Sequence, residues 1–430
     1  MIFLEKIAKT FVYLLYMDNS FKIRQTYLET LLGYKDKKIV KVITGIRRCG
    51  KSTMLSVFAQ ELKKRHISEK QIIEMNFESM KFENITNHKE LYSYIAGHIG
   101  QPRGAVPTKK KTYLFFDEIQ MVKKWEKAVN SFLVDFDVDV YITGSNAYLL
   151  SSELSTLISG RYVEIKMLPL SFKEFLDFND FDSKLSIEDK FLLYMKFGGM
   201  PAVAEYGFNE KMIYEMLEGV YNTVIIKDIM QRNKITDYAL LKKLADFLAH
   251  SIGSINSINS ISNFLVSNKE TEHKSAPNKM IESYITALQN AFIFYELKRY
   301  DLKGKSLLKT LCKNYIADIG IRNMLLGYRD AEKGHILENI VFLELLRRGY
   351  KVHIGKFLDF EIDFVAETPK ERIYFQVCES LVDKNVFERE IAPLKHIRDN
   401  HEKIILSGDK NFIASYDGIK IVNVVDFLLG

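Results

Sequence analysis

The chain is poor in cysteine and lacks long apolar runs. Its 430 residues include only three cysteines, Cys49, Cys312 and Cys378, and these are far apart. No CxxC pair or His/Cys cluster accompanies them, which excludes a disulfide framework and a zinc site and predicts a reduced, cytoplasmic setting. No stretch approaches the ~18–20 consecutive apolar residues of a membrane-spanning helix. We therefore expect no membrane partner.

The first 20 residues contain a short apolar run, Phe11–Met17, that follows Lys6 and Lys9. An export signal has a similar order of charge and apolar residues, but it also needs a longer run and a small-residue cleavage site. We interpret residues 1–20 as an N-terminal extension and predict no export.

The rest of the composition is that of a soluble globular protein. Hydrophobic residues make up 47% of the chain and charged residues 27%, which is enough for the cores of two or three domains. The net charge of +6 is mildly basic. Such a charge is compatible with a nucleic-acid partner but does not require one.

A glycine-rich segment follows the first clear strand pattern. The apolar run Ile39–Ile43 precedes it and the helical pattern Met54–Arg65 follows it. A glycine, four residues and then Gly-Lys-Ser/Thr form the pattern of a phosphate-binding loop. A plain glycine-rich turn would not account for the flanking strand and helix. The segment comprises Gly45, Ile46, Arg47, Arg48, Cys49, Gly50, Lys51, Ser52 and Thr53.

Each fixed position of this loop has a chemical reason. Gly45 and Gly50 allow the main chain to curl so that its N–H groups surround a β-phosphate. Lys51 places a positive charge between the β- and γ-phosphates, and the Ser52 hydroxyl is positioned to ligate Mg²⁺. The helix that begins here adds unpaired N–H groups and its dipole. The loop therefore predicts ATP and Mg²⁺ as ligands.

An acidic pair follows another buried strand. The apolar run Thr112–Phe116 ends in Asp117 and Glu118. In a parallel sheet, an interior strand of this kind delivers its last residues to the carboxyl edge, where a phosphate-binding loop also lies. We expect Asp117 to hold Mg²⁺ through water and Glu118 to polarise the attacking water. The alternative for Glu118 is a solvated loop acid.

Two later segments offer further catalytic groups. The predicted strand Val138–Thr143 leads to Ser145 and Asn146, whose side chains can report a γ-phosphate, although a turn of good turn formers explains them equally well. Arg161 follows the helix-like stretch Ala147–Ile158, a position suited to an arginine finger. A surface arginine, or one that pairs with the nearby glutamate, explains it at least as well.

These motifs together closely resemble those of the prokaryotic AAA-type ATPases. The segments GIRRCGKST, YLFFDEIQ, ITGSNAYLL, ISGRY and LPLSFKEF carry the resemblance. More specifically, the chain resembles the predicted members of this family that carry a C-terminal domain of unknown function. The resemblance extends from about residue 20 to the end. The resemblance implies that Lys51 and Ser52 are the phosphate-loop pair and that Asp117 and Glu118 are the acidic pair. It also implies that Ser145 and Asn146 are at the sensor position and that Arg161 belongs to the recurring Gly-Arg.

The middle of the chain predicts a winged-helix order. Helical patterns at 209–230 and 239–290 precede a hairpin formed by 291–300 and 306–316. The hairpin is basic around Tyr300, with Lys298, Arg299, Lys303, Lys305, Lys309 and Lys313. A basic hairpin with an aromatic residue can rest on DNA phosphates. We favour the alternative, a solvated hairpin that packs as the ATPase lid, because this mixture is not a base-reading code.

The C-terminal region predicts the fold of restriction nucleases with an incomplete site. Glu338 on a predicted helix and Asp363 on a predicted strand fill the first two carboxylate positions. The third position needs Glu-x-Lys but has Gln376-Val-Cys378, so a carboxylate and the lysine are both missing. We therefore expect a degenerate nuclease-like module used for binding or packing, without cleavage.

We thus predict an α/β chain in which a P-loop AAA-type parallel-sheet domain precedes a helical winged-helix domain and a small nuclease-like α/β domain. The expected parts are an extension (1–20), the ATPase core (21–170), a helical connector or lid (171–230), the winged helix (231–328) and the nuclease-like domain (329–430). The expected function is Mg²⁺-dependent ATP hydrolysis that drives conformational change. DNA and a second copy of the chain are candidate partners. The alternatives are a slow nucleotide-dependent switch, a nucleic-acid-binding module and, least favoured, a DNA nuclease.

Overall fold

The computed structural model describes residues 22–100, 111–150, 160–267, 278–304, 306–329, 332–410 and 412–430. The predicted N-terminal extension, most of the helix-like stretch 147–158 and Lys305 lie outside these residues. No helix within the described ranges is long and apolar enough to cross a membrane.

The first sheet has five parallel strands in the order β2-β3-β4-β1-β5. Its strands are β1 (Val40–Thr44), β2 (Ile72–Asn76), β3 (Thr112–Asp117), β4 (Val138–Gly144) and β5 (Tyr162–Lys166). Strands β1, β3 and β4 are buried along their whole length, which explains their near-continuous apolar sequences. The sequence pattern does not predict β5, an edge strand whose residues are mostly half-buried or exposed.

Helices cover both faces of this sheet. Alternate strand residues point to opposite faces, so Ile43 and Phe115 contact one helix layer while Val42 and Leu114 contact the other. The first layer contains α1 (Gln25–Gly33) and α2 (Lys51–Lys64), and the second contains α3 (His88–Ile99) and α4 (Trp125–Asp135). The predicted α/β architecture of the ATPase core is confirmed.

The middle region is helical, as predicted. Two of its helices begin with capping boxes, in which a serine and the acid three residues later bond each other's main-chain N–H groups. A rare π-helix, Val224–Gln231, continues directly from the helix Glu210–Thr223. The α-helices are α5 (Phe172–Phe178), α6 (Ile187–Phe197), α7 (Glu210–Thr223), α8 (Tyr238–His250), α9 (Ile258–Ser267) and α10 (Asn278–Asn290).

A second sheet joins the predicted hairpin to the C-terminal region. The hairpin consists of β7 (Phe294–Asp301) and β8 (Ser306–Ile316), and β7 pairs in parallel with β9 (Lys351–Phe357). The boundary predicted at residue 328 therefore falls between segments that share one sheet.

The remaining elements complete this half of the molecule. The short strand β6 (Ile255–Asn256) pairs with β8 at one edge. The other strands are β10 (Phe360–Glu367), β11 (Arg372–Cys378), β12 (Glu402–Ser407), β13 (Ser415–Tyr416) and β14 (Ile419–Asn423). In the described residues the strand order of this sheet is β13-β14-β12-β11-β10-β9-β7-β8-β6. The helices are α11 (Ile319–Leu326), α12 (Lys333–Arg347), α13 (Lys384–His396) and α14 (Val424–Leu429).

Candidate functional site

The predicted phosphate-binding loop connects β1 to α2. Gly45 has a φ of +148°, and a Cβ there would lie 2.1 Å from the main-chain oxygen of Met167. Gly50, with a φ of +101°, precedes the first residue of α2. Both positions therefore need glycine because of their positive φ, and Gly45 needs it also because a main-chain oxygen lies so close.

Lys51 begins α2 and is buried. Its Nζ donates hydrogen bonds to the main-chain oxygens of Gly45 (2.9 Å) and Ile46 (3.0 Å). The ammonium group is thus held over the concave side of the loop. In that position it can exchange these two acceptors for phosphate oxygens.

The other loop residues have different surroundings. Cys49 and Ile46 are buried beneath the loop, whereas Thr53 is exposed. Arg47 forms an ion pair with Glu78 (2.7 Å). Arg48 adopts a φ of +64°, which a non-glycine residue rarely does outside turns and functional loops.

Ser52 and Asp117 meet at the carboxyl edge of the sheet. The Ser52 hydroxyl donates to Asp117 Oδ1 over 3.0 Å. A hydroxyl and a carboxylate are oxygen ligands of the kind that Mg²⁺ prefers, so these two residues fit the predicted metal. A cavity of about 300 Å³ opens beside them, between α2 and the ends of β2 and β3.

Thr143, which the sequence reasoning overlooked, orients both acids. Its hydroxyl donates to Asp117 Oδ1 and accepts a hydrogen bond from the main-chain N–H of Glu118 (3.1 Å). The sequence held a usable signal for this contact. Thr143 is a polar residue near the end of β4, and the end of a parallel strand lies beside the last residue of the neighbouring strand, here Asp117 of β3. Thr143 therefore belongs to the predicted site.

Glu118 lies directly after β3 and is buried, with a φ of +53°. Burial raises its pKa, while the charge of Lys51 and a hydrogen bond from Gln120 act in the opposite direction and only partly offset it. A carboxylate with a raised pKa accepts a proton more readily near neutral pH. Glu118 is thus a buried acid beside the phosphate loop, and the solvated-acid alternative does not fit its burial.

The predicted sensor residues contact the π-helix. Ser145 and Asn146 are buried at the end of β4. Ser145 Oγ donates to Asp228 Oδ1 (3.3 Å), and Asn146 Nδ2 donates to the main-chain oxygen of Asp228 (3.4 Å). Their side chains are therefore engaged with a helix from the middle of the chain rather than only with their own turn.

The structure does not bring Arg161 to this group. Its main-chain oxygen accepts from Val40 N, so Arg161 is level with the start of β1. Because Tyr162 pairs with Val40, Arg161 is level with Ile39, and from Ile39 to Gly45 the chain rises by six residues, or about 20 Å at 3.3 Å per residue. Glu164, the alternative partner, instead accepts a hydrogen bond from Thr44. Arg161 is exposed at the edge of the sheet opposite the phosphate loop.

The C-terminal acids do come together, but around a lysine. Lys313 Nζ on β8 lies 2.7 Å from Glu338, 3.0 Å from Glu361 and 3.5 Å from Asp363. Gln376 fills the third nuclease position and bonds Asp363 N. Within the described residues no group of three His, Cys, Asp or Glu side chains is arranged to hold a metal. The absence of cleavage activity stays a prediction.

The hairpin residues are less available than the sequence suggests. Lys313 is buried in its ion pairs, and the Tyr300 ring lies beneath the guanidinium of Arg372 at 5.5 Å. Inclusion of Lys313 in the basic surface was therefore wrong. Lys298 and Lys303 are exposed and remain open to an external partner.

Comparison with known proteins identifies the relatives of this chain. Residues 37–176 match a family described as AAA domain, and residues 188–332 match a domain of unknown function, DUF8612. An uncharacterized protein of Haemophilus influenzae is 39% identical over 414 residues, which cover 96% of this chain and 100% of that protein. This chain belongs to the same family.

A second relative has a similar extent. The uncharacterized protein MJ1544 of Methanocaldococcus jannaschii is 31% identical over 411 residues, covering 90% of this chain and 87% of that one. Among solved structures, a Walker-type ATPase of Pyrococcus abyssi superposes with a TM-score of 0.50 at 14% identity, covering 72% of this chain and 97% of that one. That likeness concerns the fold, and it agrees with the parallel sheet and phosphate loop of an AAA-type ATPase domain.

Proposed function

We propose that this protein binds ATP at the β1–α2 loop and hydrolyses it with Mg²⁺. The observation that carries the proposal is the contact of 3.0 Å between Ser52 Oγ and Asp117 Oδ1. It unites the hydroxyl of the loop and the carboxylate of β3 at one point, beside the buried Lys51 and Glu118. Phosphate binding, metal binding and water activation thus converge on one edge of the sheet.

Each side chain has one task in this reaction. Lys51 neutralises charge on the β- and γ-phosphates, and the N–H groups of the loop orient them. Ser52, and Asp117 through water, would hold Mg²⁺, which would supply positive charge to offset the negative charge on the same oxygens. Glu118 orients a water in line with the γ-phosphorus and accepts its proton. Thr143 keeps the two acids in position through the hydrogen bonds described above.

The test measures ATP binding and phosphate release separately for three proteins. The wild type should bind ATP and release phosphate only with Mg²⁺. Lys51→Ala should lose binding, whereas Glu118→Gln should still bind ATP and turn over about 10²–10⁴-fold more slowly, the usual contribution of a general base.

Matched controls separate chemistry from folding. Lys64→Ala removes an exposed lysine from the other end of α2, and Glu83→Gln neutralises an exposed acid outside the site; both should retain wild-type rates. If Glu118→Gln hydrolyses ATP at the wild-type rate, Glu118 is not the base. If the wild type binds ATP but releases phosphate no faster than Lys51→Ala, the protein is a slow nucleotide switch.

The position of Arg161 has a consequence for assembly. Because it lies about 20 Å along the strand from its own phosphate loop, it can act as a finger only on the nucleotide of a second copy. Turnover per subunit should then rise with protein concentration, and Arg161→Ala should abolish that rise while leaving the dilute rate unchanged. A concentration-independent rate in the wild type would remove Arg161 from the mechanism.

DNA is a second candidate partner, favoured by the exposed Lys298 and Lys303 on the hairpin. Phosphate contacts by lysine release counterions, so binding should weaken steeply as salt rises. Fluorescence anisotropy with a labelled duplex tests this for the wild type and for Lys298→Ala/Lys303→Ala. Binding that is absent, or equal in both proteins, would exclude the hairpin as a DNA contact.

A further inference from the structure

One carboxylate beside the nucleotide site has no part in the reaction described above. Asp228 lies in the π-helix Val224–Gln231 and is 3% exposed. Its Oδ1 accepts from Ser145, while its Oδ2 is buried and has no hydrogen-bond partner among the described residues. A buried acceptor without a partner is costly and needs an explanation. π-Helical turns also occur frequently at functional sites.

The buried carboxylate of Asp228 lies among positively charged side chains. Arg232 Nη2 lies 3.8 Å from Asp228 Oδ1. Burial raises the pKa of Asp228, and the positive charges of Arg47, Arg232 and Lys51 lower it in part. Arg47 and Lys51 belong to the phosphate loop itself. Two cations that would meet the phosphates of a nucleotide therefore also act electrostatically on this carboxylate.

Asp228 also accepts hydrogen bonds from both residues of the predicted sensor, Ser145 and Asn146. Ser145 bonds its carboxylate and Asn146 bonds its main-chain oxygen. A γ-phosphate that approached this edge of the sheet would need those donors and would meet a negative charge. A nucleoside diphosphate lacks the γ-phosphate and would therefore be repelled less by the negative charge of Asp228. The interaction free energy with Asp228 thus differs between ATP and ADP, and such a difference is what allows a residue to discriminate between two ligands.

We propose that Asp228 sets the discrimination between ATP and ADP, because its carboxylate holds the place and the hydrogen-bond donors that a γ-phosphate takes. The inference rests on the proposed nucleotide site at the β1–α2 loop. Binding of ATP displaces Asp228, and binding of ADP leaves it in contact with Ser145 and Asn146.

Displacement of Asp228 cannot remain local. Ile225 and Ile229 of the same π-helix are buried in the core that includes α7 and α10. A well-packed core does not absorb a shift of one helix without a response in its neighbours. The nucleotide state is therefore read by the helices of the middle region, through a π-helix that begins where α7 ends.

The test compares ATP and ADP affinity in the wild type and in Asp228→Asn. The amide keeps the shape and a hydrogen bond with Ser145 but removes the charge, so ATP should bind at least about tenfold more tightly, which is about 1.4 kcal/mol. ADP affinity should change less than about threefold. Isothermal titration with a non-hydrolysable ATP analogue and with ADP gives both constants, and a thermal melt confirms that the variant folds.

Asp246→Asn is the matched control. Asp246 lies on α8, has a raised pKa through burial and an oxygen without a hydrogen-bond partner among the described residues, but the cation beside it is Lys242. Its variant should leave the ratio of ATP to ADP affinity unchanged.

The outcomes separate this inference from the proposed function. A selective gain of ATP affinity in Asp228→Asn, absent in Asp246→Asn, supports it. If the wild type binds ATP and Asp228→Asn changes neither affinity, or changes both equally, the inference is wrong while the nucleotide site stands. If neither protein binds either nucleotide, both proposals are overturned.

Discussion

Lys313 offers a sharp test of the second sheet, because it is a buried cation among three carboxylates. Its Nζ contacts Glu338, Glu361 and Asp363 within 2.7–3.5 Å, and the lysine is 3% exposed. Burial by itself lowers the pKa of Lys313, but the three acids raise it above its ordinary value. The ammonium group is therefore charged, and Lys313→Met removes the only lysine or arginine in contact with these acids among the described residues, while the imidazole of His335 stays 3.9 Å from Glu338.

The expected loss is large because the acids stay behind. Removal of one partner from a buried ion pair costs about 3–5 kcal/mol. A cooperative unit of about 150–250 residues loses about 2–4 °C of thermal midpoint per kcal/mol. The Lys313→Met midpoint should therefore fall by at least about 6 °C at pH 8. Lys298→Met, which removes an exposed lysine from the neighbouring strand, is the control and should shift it little.

The pH dependence follows from the acids that remain. Burial and the charge of Glu338 raise the pKa of Asp363, so its ionisation opposes folding. That penalty is absent below the pKa of an unfolded aspartate and complete above the raised folded pKa. Without Lys313 the penalty grows, so the deficit of Lys313→Met should be smaller at pH 5 than at pH 8. Equal deficits at both pH values, or none, would refute a charge-compensation role for Lys313.

Three further predictions concern the nucleotide site and its support. Gly45→Ala should weaken ATP binding at least about tenfold by equilibrium dialysis, since its Cβ meets a main-chain oxygen at 2.1 Å, whereas Gly33→Ala, whose Cβ meets nothing, should not. Asp318→Ala should lower the free energy of unfolding by about 2–4 kcal/mol in urea titrations, because it removes the cap of α11 and the acceptor for Gly199 N; a loss below 1 kcal/mol would contradict this. The phosphate-release rate should fall as pH drops through the raised pKa of Glu118, above the range of an exposed glutamate, and Glu118→Gln should lack that limb of the profile.

The core of the nucleotide site could be predicted from the sequence because its signals are local. The loop between Ile39–Ile43 and α2 has fixed positions that a single segment must supply. The acidic pair follows a run that is apolar because β3 is buried on both faces. Parallel strands then bring Ser52 and Asp117 together without any further information.

The position of Arg161 depended on a strand that the pattern did not reveal. Residues 162–166 alternate weakly, since β5 is at the edge of the sheet and is mostly half-buried or exposed. Without that strand, nothing in the sequence limits how closely the Gly-Arg motif approaches the phosphate loop. Pairing of Tyr162 with Val40 instead fixes Arg161 at the amino edge. A single long-range pairing thus decides how far this residue lies from the phosphate loop of its own chain.

The position of Lys313 among the C-terminal acids also depends on contacts between segments that are distant in sequence. The nuclease-like motif supplies its acids from α12 and β10, and the structure supplies a lysine from β8, a different part of the chain. The signal was present, since Lys313 and Tyr315 are two residues apart on one strand face and both bond Glu338. An alternation of this kind places a lysine toward the core, where it needs acidic partners.

Support of the phosphate loop likewise comes from residues that are distant in sequence. Arg24 donates to the main-chain oxygens of Cys49 in the loop and of Leu168 and Pro169 after β5. Arg347, at the end of α12, donates to the same Pro169 oxygen (2.9 Å). The loop and α12 are therefore anchored on one short segment, residues 168–169. A nucleotide that repositions the loop must either break the hydrogen bonds of Arg24 and Arg347 or move α12 with it.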